Sequence, residues 1–132
     1  MDQIKQMMLH YMHKKYTDRH FLNIGMGLAI FARNERELFK AFYLENRKHR
    51  WLLDGVFTEL REDMLNDARF ADMPVEDRKK LLDKMWRYTF RLSMEICFDL
   101  TKDPSDEDIQ QTLVETGAII IADALQRRTD QV

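Results

Sequence analysis

The chain contains little cysteine, proline and glycine, and it has no long uncharged stretch. One cysteine, Cys97, excludes an internal disulfide and is typical of a reducing compartment. Two prolines and four glycines are too few for many short strands joined by tight turns. The longest stretch without a formal charge, residues 20–32, is shorter than the about 20 residues of a membrane-spanning helix. No basic start followed by an apolar stretch marks a signal peptide, so we expect a cytoplasmic, all-α protein.

The 132 residues are enough for one domain, and 45% of them are apolar, which is enough for a core. The charge is uneven: residues 1–50 carry 10 Lys/Arg and 5 Asp/Glu (+5), and residues 51–132 carry 11 and 18 (−7), which gives −2 in all. A basic half can bind nucleic acid, but no recognition motif accompanies it, so we favour a solvated helical surface. The tightest basic cluster, Arg47 to Arg50, suits a helix C-terminus.

Apolar periodicity predicts six helices. Their expected ranges are 2–15, 19–33, 35–46, 48–68, a fifth that restarts at Pro74 and runs to about 100, and a sixth that ends near 128. Capping residues mark three starts, which are Thr17 with Asp18, Asn34 with Glu37, and Ser105 with Asp108. The second helix is apolar on nearly every side and should be central. We expect its glycines, Gly25 and Gly27, to allow close approach of a neighbouring helix.

The last two helices carry apolar residues in nearly every direction, whereas a surface helix normally shows one apolar stripe. The first four helices can cover one side of this pair, and a second copy of the pair is the simplest cover for the other side. We therefore predict a homodimer joined by an intersubunit four-helix bundle. The alternative is a monomer in which both helices are central. The predicted interface residues are Leu92, Ile96, Leu100, Leu113, Gly117, Ile120, Ile121 and Ala124.

The stretch FLNIGMGLAIFARNERELFK, residues 21–40, resembles the C-terminal ligand-binding and dimerisation domain of TetR-family transcriptional regulators. That family commonly shows a glycine, an apolar run ending in Phe-Ala, a short acidic stretch and then Leu-Phe. The matching positions here are Gly25, Phe31, Ala32, Glu35, Leu38 and Phe39. The order of the later helices is also similar. The resemblance covers almost the whole chain, and it rests on apolar spacing rather than on catalytic residues.

Two features depart from the family pattern. Arg36 stands where many relatives have proline, which leaves the turn into the third helix less sharply defined. Such regulators also carry an N-terminal helix-turn-helix of about fifty residues, and only one amphipathic helix precedes the second helix here. We therefore interpret residues 1–16 as a helix that would connect to a DNA-binding domain. Residues 17–132 would be the ligand-binding and dimerisation domain, with DNA bound only through a domain outside this chain.

The resemblance implies that a small, often apolar effector binds inside the helical bundle. Its candidate contacts are Phe31, Phe39, Phe42, Tyr43, Phe57, Met64, Trp86, Thr89, Phe90 and Ser93. Asn23 could add an orienting hydrogen bond, and the nine methionines favour an adaptable lining. The alternative is that these aromatic residues fill a tight core.

Catalysis and metal binding are weakly indicated. His10 and His13 could share one helix face and His20 follows, but no carboxylate or thiol stands at a complementary spacing. Cys97 lies in an apolar run typical of an inert buried thiol. We expect no catalytic residues, no metal and no cofactor. The remaining alternative to a ligand-sensing domain is a helical protein–protein interaction module without a small-molecule ligand.

Overall fold

The computed structural model describes residues 2–46, 54–99 and 102–130, which form a bundle of six helices with no strand. The helices are α1 (Asp2–Met12), α2 (His20–Asn34), α3 (Arg36–Asn46), α4 (Asp54–Leu65), α5 (Val75–Phe98) and α6 (Asp106–Asp130). The predicted all-α class is therefore confirmed. The basic cluster at 47–50 and Leu100 lie outside the described residues, as does the side chain of Phe57. No helix in the described part is long and apolar enough to cross a membrane.

Helix α2 is the centre of the bundle, as its apolar sequence predicts, and it contacts each of the other five helices. Ten of the eleven residues from Leu22 to Ala32 are buried, and the other one, Gly25, is half-buried. One side of α2 packs with Phe39, Phe42 and other core residues of α1, α3, α4 and α5. The opposite side packs against Ile96 of α5 and the first turns of α6. The bundle is therefore built as two apolar clusters that share this helix.

Gly27 lets α1 cross α2 at very short range, as the sequence predicts. A Cβ atom at this position would lie 2.6 Å from the amide nitrogen of Met12 and closer still to the carbonyl oxygen of Tyr11. Its φ is not positive, so the close crossing rather than the backbone conformation requires glycine. Gly25 differs, because a Cβ there would make only ordinary contacts at 3.5 Å or more.

The cap predicted for α6 is present, whereas those predicted for α2 and α3 are replaced by other contacts. The amide of Asp108 donates to Ser105 Oγ at 3.1 Å, and the amide of Ser105 donates to Asp108 Oδ2 at 3.2 Å. Arg19 is the N-cap residue of α2, without a side-chain cap. Thr17 instead bonds Asn23, its amide and hydroxyl both donating to Asn23 Oδ1 at 2.8 Å. Asn34 closes α2, and its Oδ1 accepts a hydrogen bond from Arg33.

Helix α4 ends at Leu65, three residues earlier than its apolar pattern predicts. The carboxylate of Asp67 accepts a hydrogen bond from the amide of Arg69 at 2.9 Å, and the Asp67 carbonyl accepts one from the amide of Phe70. Aspartate competes for backbone amides in this way, so the segment 66–73 forms turns instead of continuing the helix. These turns bring Asp67, Arg69 and Phe70 to the side of α5 and α6.

Candidate functional site

A cavity of about 580 Å³ lies between α2, the end of α4 and the turns after it, α5 and the middle of α6. This volume is within the about 300–1,000 Å³ that is usual for small-molecule sites. A smaller depression of about 330 Å³ lies near the end of α5, where Glu95, Lys102, Asp103 and Asp108 make its border strongly charged. The larger cavity is the stronger candidate because most of its wall is apolar.

The apolar wall comes from four parts of the fold. Residues from the first turns of α2 and from α5 are Phe21, Leu22, Gly25, Met85, Tyr88 and Thr89, and Met64 and Phe70 come from the α4 end. Helix α6 supplies Leu113, Val114, Gly117, Ala118, Ile120, Ile121, Ala122 and Leu125. The hydroxyls in this wall already have partners, since Thr89 donates to the Met85 carbonyl and Thr116 donates to Tyr88. A ligand would meet mainly aliphatic and aromatic surface here.

Two helical glycines keep the cavity open. A Cβ atom at Gly117 would have only Met85 Cε near it, at 4.0 Å, and one at Gly25 would lie 3.5 Å from Leu113. Neither glycine has a positive φ, so the backbone does not require glycine at these positions. Side chains larger than methyl at either position would project into the space that the cavity occupies. Glycine inside a helix lowers helix stability by about 1 kcal/mol relative to alanine. At these two positions the helix is therefore less stable, and the cavity is larger, than with a larger residue.

The charged lining residues come from two short segments, Arg19 with His20 and Asp67 with Arg69. Arg69 Nη2 donates to Asp67 Oδ2 at 2.8 Å, and Nε of the same guanidinium also bonds the carboxylate. The hydrogen bonds from Arg69 and, more weakly, the nearby charge of Arg19 lower the pKa of Asp67. Arg19 of one segment is thus near enough to Asp67 of the other for its charge to act on that carboxylate, and the charged lining residues belong to these two segments.

The predicted ligand contacts fall into two groups. Met64 and Thr89 line the cavity. The others on described side chains lie outside its lining, and these are Phe31, Phe39, Phe42, Tyr43, Trp86, Phe90 and Ser93. Several of them form a chain of neighbouring aromatic rings, with Phe39 tilted against Phe90 at 5.6 Å and Trp86 stacked on Phe90 at 6.2 Å between ring centroids. The structure thus places these rings in or against the core between α2, α3 and α5, outside the cavity lining.

The polar candidates in that core are also engaged. Ser93 is fully buried and donates to the carbonyl of Thr89 at 2.8 Å. Asn23 accepts from Thr17 and donates to its carbonyl at 3.0 Å. Burial raises the pKa of the Cys97 thiol, which lies against the Arg36 carbonyl at 3.2 Å. These groups therefore stabilise local structure and do not line the cavity, which lies on the α6 side of the bundle.

Four of the predicted interface residues line this cavity, namely Leu113, Gly117, Ile120 and Ile121. Ile96 and Leu113 are already buried within one chain against α2, at 2% and 8% exposure. A second copy cannot cover side chains that their own chain has buried, so these two are misassigned to a subunit interface. Leu92 and Ala124 are partly buried against the two core clusters. The exposed apolar residues of α6 are instead Ile119, which lies outside the cavity lining, and Ala118 and Ala122, which are exposed at the edge of the cavity that they also line.

Glu59 of α4 connects the end of α1 to the border of the cavity. Its carboxylate lies 2.9 Å from Nε2 of His13 and 2.7 Å from Nε2 of His20. The other ring nitrogen of His13, Nδ1, lies 2.8 Å from the Leu9 carbonyl oxygen, so both nitrogens face acceptors and the protonated ring is favoured. Accordingly the hydrogen bond to Glu59 raises the pKa of His13, although partial burial opposes it.

His13 and His20 each bond Glu59, and among the described residues no group of three or more potential ligands is arranged to hold a metal ion. Sequence reasoning missed Glu59 because its partners lie 39 and 46 residues away. It also missed Arg19, Arg69 and the role of Gly117. A glycine inside an otherwise good helix was the available signal for the last of these.

No protein-family model, curated protein or solved structure matches this chain. Function must therefore be argued from the cavity, its charged border and its connection to α1.

Proposed function

We propose that this chain is the effector-sensing and dimerisation domain of a TetR-like transcriptional regulator. It would bind a small apolar or amphipathic molecule and so control DNA binding by a separate N-terminal domain. The observation that carries the proposal is the cavity of about 580 Å³ with its apolar walls. The all-helical bundle and the resemblance of residues 21–40 to that family support it.

Helix α1 is the proposed output element, because it would lead toward the DNA-binding domain. It meets the bundle at Gly27 and, through His13, at Glu59. His20 bonds the same Glu59 and also lines the cavity. A ligand that moves the first turn of α2 would therefore shift the end of α1. Such coupling requires that the ligand bind one position of α1 more tightly than another.

The outer side of α6 supports the dimer in this proposal. Ile119 is 69% exposed, and its neighbours Ala118 and Ala122 are also exposed. Small side chains there permit close approach of a second copy, in which the same surface of both subunits would meet around a two-fold axis.

Thermal unfolding with a library of apolar and amphipathic small molecules tests ligand binding. A ligand at 100 times its Kd stabilises the folded chain by about 2.7 kcal/mol, so we expect some members to raise the melting temperature. Gly117→Leu would fill the cavity and should abolish these shifts. Gly55→Leu is the matched control, because a Cβ on exposed Gly55 meets no atom within 4 Å. A library without effect, or equal shifts in Gly117→Leu, would refute the proposal.

The exposed Ile119 also favours the second candidate function, a helical module that binds a different protein through α6. That candidate predicts a monomer whose melting temperature no small molecule changes. It further predicts that Gly117→Leu has no effect on binding a protein partner, because the cavity would then have no role.

A further inference from the structure

The charged residues and the one histidine of the cavity wall come from two short segments, and the rest of the wall is uncharged. Arg19 and His20 begin α2, and Asp67 and Arg69 lie in the turns after α4. A ligand that fills this space must therefore be apolar over most of its length, because an unpaired polar group on an aliphatic wall is costly. Polar groups on the ligand can be accommodated at one end.

The charge balance of these lining residues is positive. Asp67 forms an ion pair with Arg69, in which Oδ2 lies 2.8 Å from Nη2. The carboxylate of Glu59 lies within hydrogen-bond distance of Nε2 of His20, at 2.7 Å. Arg19 is exposed and forms no ion pair with the described residues, so its guanidinium has free donors. The lining residues Arg19, Asp67 and Arg69 sum to one positive charge, and the carboxylate of Glu59, which lies outside the lining, is engaged by His13 and His20.

We propose that the cavity takes an amphipathic ligand with a single acidic head group, held at Arg19, and an aliphatic body that lies along α6. This inference rests on the proposed function and names its ligand class. A guanidinium binds carboxylate and phosphate through paired N–H groups, so either head group suits it. At about 30 Å³ for each water-sized group, the cavity of about 580 Å³ holds roughly twenty such groups. That size corresponds to a chain of a dozen or more carbons with its head group.

Calorimetric titration of the 132-residue chain with three probes of equal chain length tests the proposal. The probes are dodecanoate, dodecanol and dodecylamine, with the two charged probes kept below the concentration at which they form micelles and dodecanol kept below its solubility limit. Because Arg19 is exposed, the gain from its charge is modest, and we expect dodecanoate to bind roughly three- to fivefold more tightly than dodecanol. Dodecylamine should bind most weakly. The preference for dodecanoate should fall as salt is added.

Two variants examine the head-group contact from opposite directions. Arg19→Gln should remove the preference for dodecanoate over dodecanol, whereas Arg87→Gln, on an exposed side chain of α5 outside the cavity, should keep it. Asp67→Asn keeps the Oδ1 atom that accepts from the Arg69 amide and removes the charge that occupies the Arg69 guanidinium. It should therefore bind dodecanoate more tightly than the unchanged chain does.

Equal binding of the three probes, or tighter binding of dodecylamine, would overturn the acidic-ligand inference and leave the proposed function standing. A preference for dodecanoate that survives Arg19→Gln would overturn the assignment of the head group to Arg19. Failure of all three probes would also overturn the inference, and the library screen then decides separately whether the cavity binds any small molecule. Inorganic phosphate and dodecyl phosphate, added in parallel, distinguish recognition of the head group alone from recognition of the whole amphiphile.

Discussion

The Nε2 atom of His20 lies 2.7 Å from Oε1 of Glu59, although 39 residues separate them. The same carboxylate bonds His13, which follows α1 directly. One glutamate of α4 thus joins the connection that leads out of α1 to the connection that leads into α2. This arrangement makes the position of α1 dependent on the protonation of His13, whose pKa the hydrogen bond to Glu59 raises.

The first prediction concerns the pH dependence of this bridge. Hydrogen bonding to Glu59 raises the pKa of His13 above 6.5, so the stability that it contributes is complete below pH 6.5 and is lost as the pH rises through the raised value. Partial burial raises the pKa of Glu59, but the bonds from His13 and His20 outweigh it and leave the pKa below 4.5. The stability that the Glu59 carboxylate contributes is therefore present above pH 4.5 and is lost as the pH falls through its lowered pKa.

Glu59→Gln should accordingly lower the free energy of unfolding most between about pH 4.5 and 6.5. The expected loss is roughly 0.5–1 kcal/mol, because the side chains are partly exposed. Chemical denaturation at pH 4, 5.5 and 8 measures this difference. Glu62→Gln, on the exposed side of α4, removes the same charge without the histidine contacts. A cost that is independent of pH, or equal in both variants, would show that the bridge does not stabilise the fold by its charges.

A second prediction compares two glycines of α2. Gly27→Ala should destabilise the chain by about 1–3 kcal/mol, because the added Cβ would meet the backbone of Tyr11 and Met12, which cannot rotate away. Gly25→Ala should be neutral or stabilise by up to about 1 kcal/mol, since its Cβ finds ordinary contacts and alanine favours a helix. Denaturant unfolding of both variants gives the comparison. Equal effects would mean that α1 does not cross α2 at Gly27.

Local rules predicted much of this fold from the sequence. The Ser105–Asp108 cap and the close approach at Gly27 were predictable, because the first depends on neighbouring residues and the second on an apolar, glycine-containing helix. The cavity could not be placed. Helices α5 and α6 are apolar on several sides, so the sequence does not say which side faces α2, which faces the cavity and which stays exposed. Which side of each helix faces inward follows from the packing of all six helices. This packing buries Leu113 and Ile96, which the sequence had assigned to the subunit interface.

Arg36 illustrates the same limit and gives a third prediction. Its guanidinium donates to the carbonyl oxygens of Ile96 and Cys97 in the last turn of α5, and to that of Lys102 in the connection to α6 at 2.6 Å, and so satisfies free carbonyls there. The turn into α3 is therefore fixed by a contact more than sixty residues away, in place of the proline expected from the resemblance.

Arg36→Met should lower the free energy of unfolding by about 1–3 kcal/mol, because the α5 carbonyls would lose a charged donor in a partly buried place. Arg91→Met, an exposed arginine of α5, should change it by less than about 0.5 kcal/mol. Urea titration of both variants provides the measurement. If the two arginines proved equivalent, the end of α5 would have to be held by other contacts.

The last prediction concerns assembly through α6. Ile119 is 69% exposed between small apolar neighbours, and we expect it to be covered by a second copy of the chain. Light scattering after size exclusion should give about 32 kDa, twice the chain mass of 16.0 kDa. Ile119→Lys should return the mass to about 16 kDa, because two lysines would face each other across the two-fold axis in an apolar contact.

Leu65→Lys, at an apolar side chain of α4 that is 54% exposed, should leave the dimer intact. A dimer that persists in Ile119→Lys would place the contact elsewhere, and a monomeric unchanged chain would exclude self-association and favour a different protein as the partner of α6.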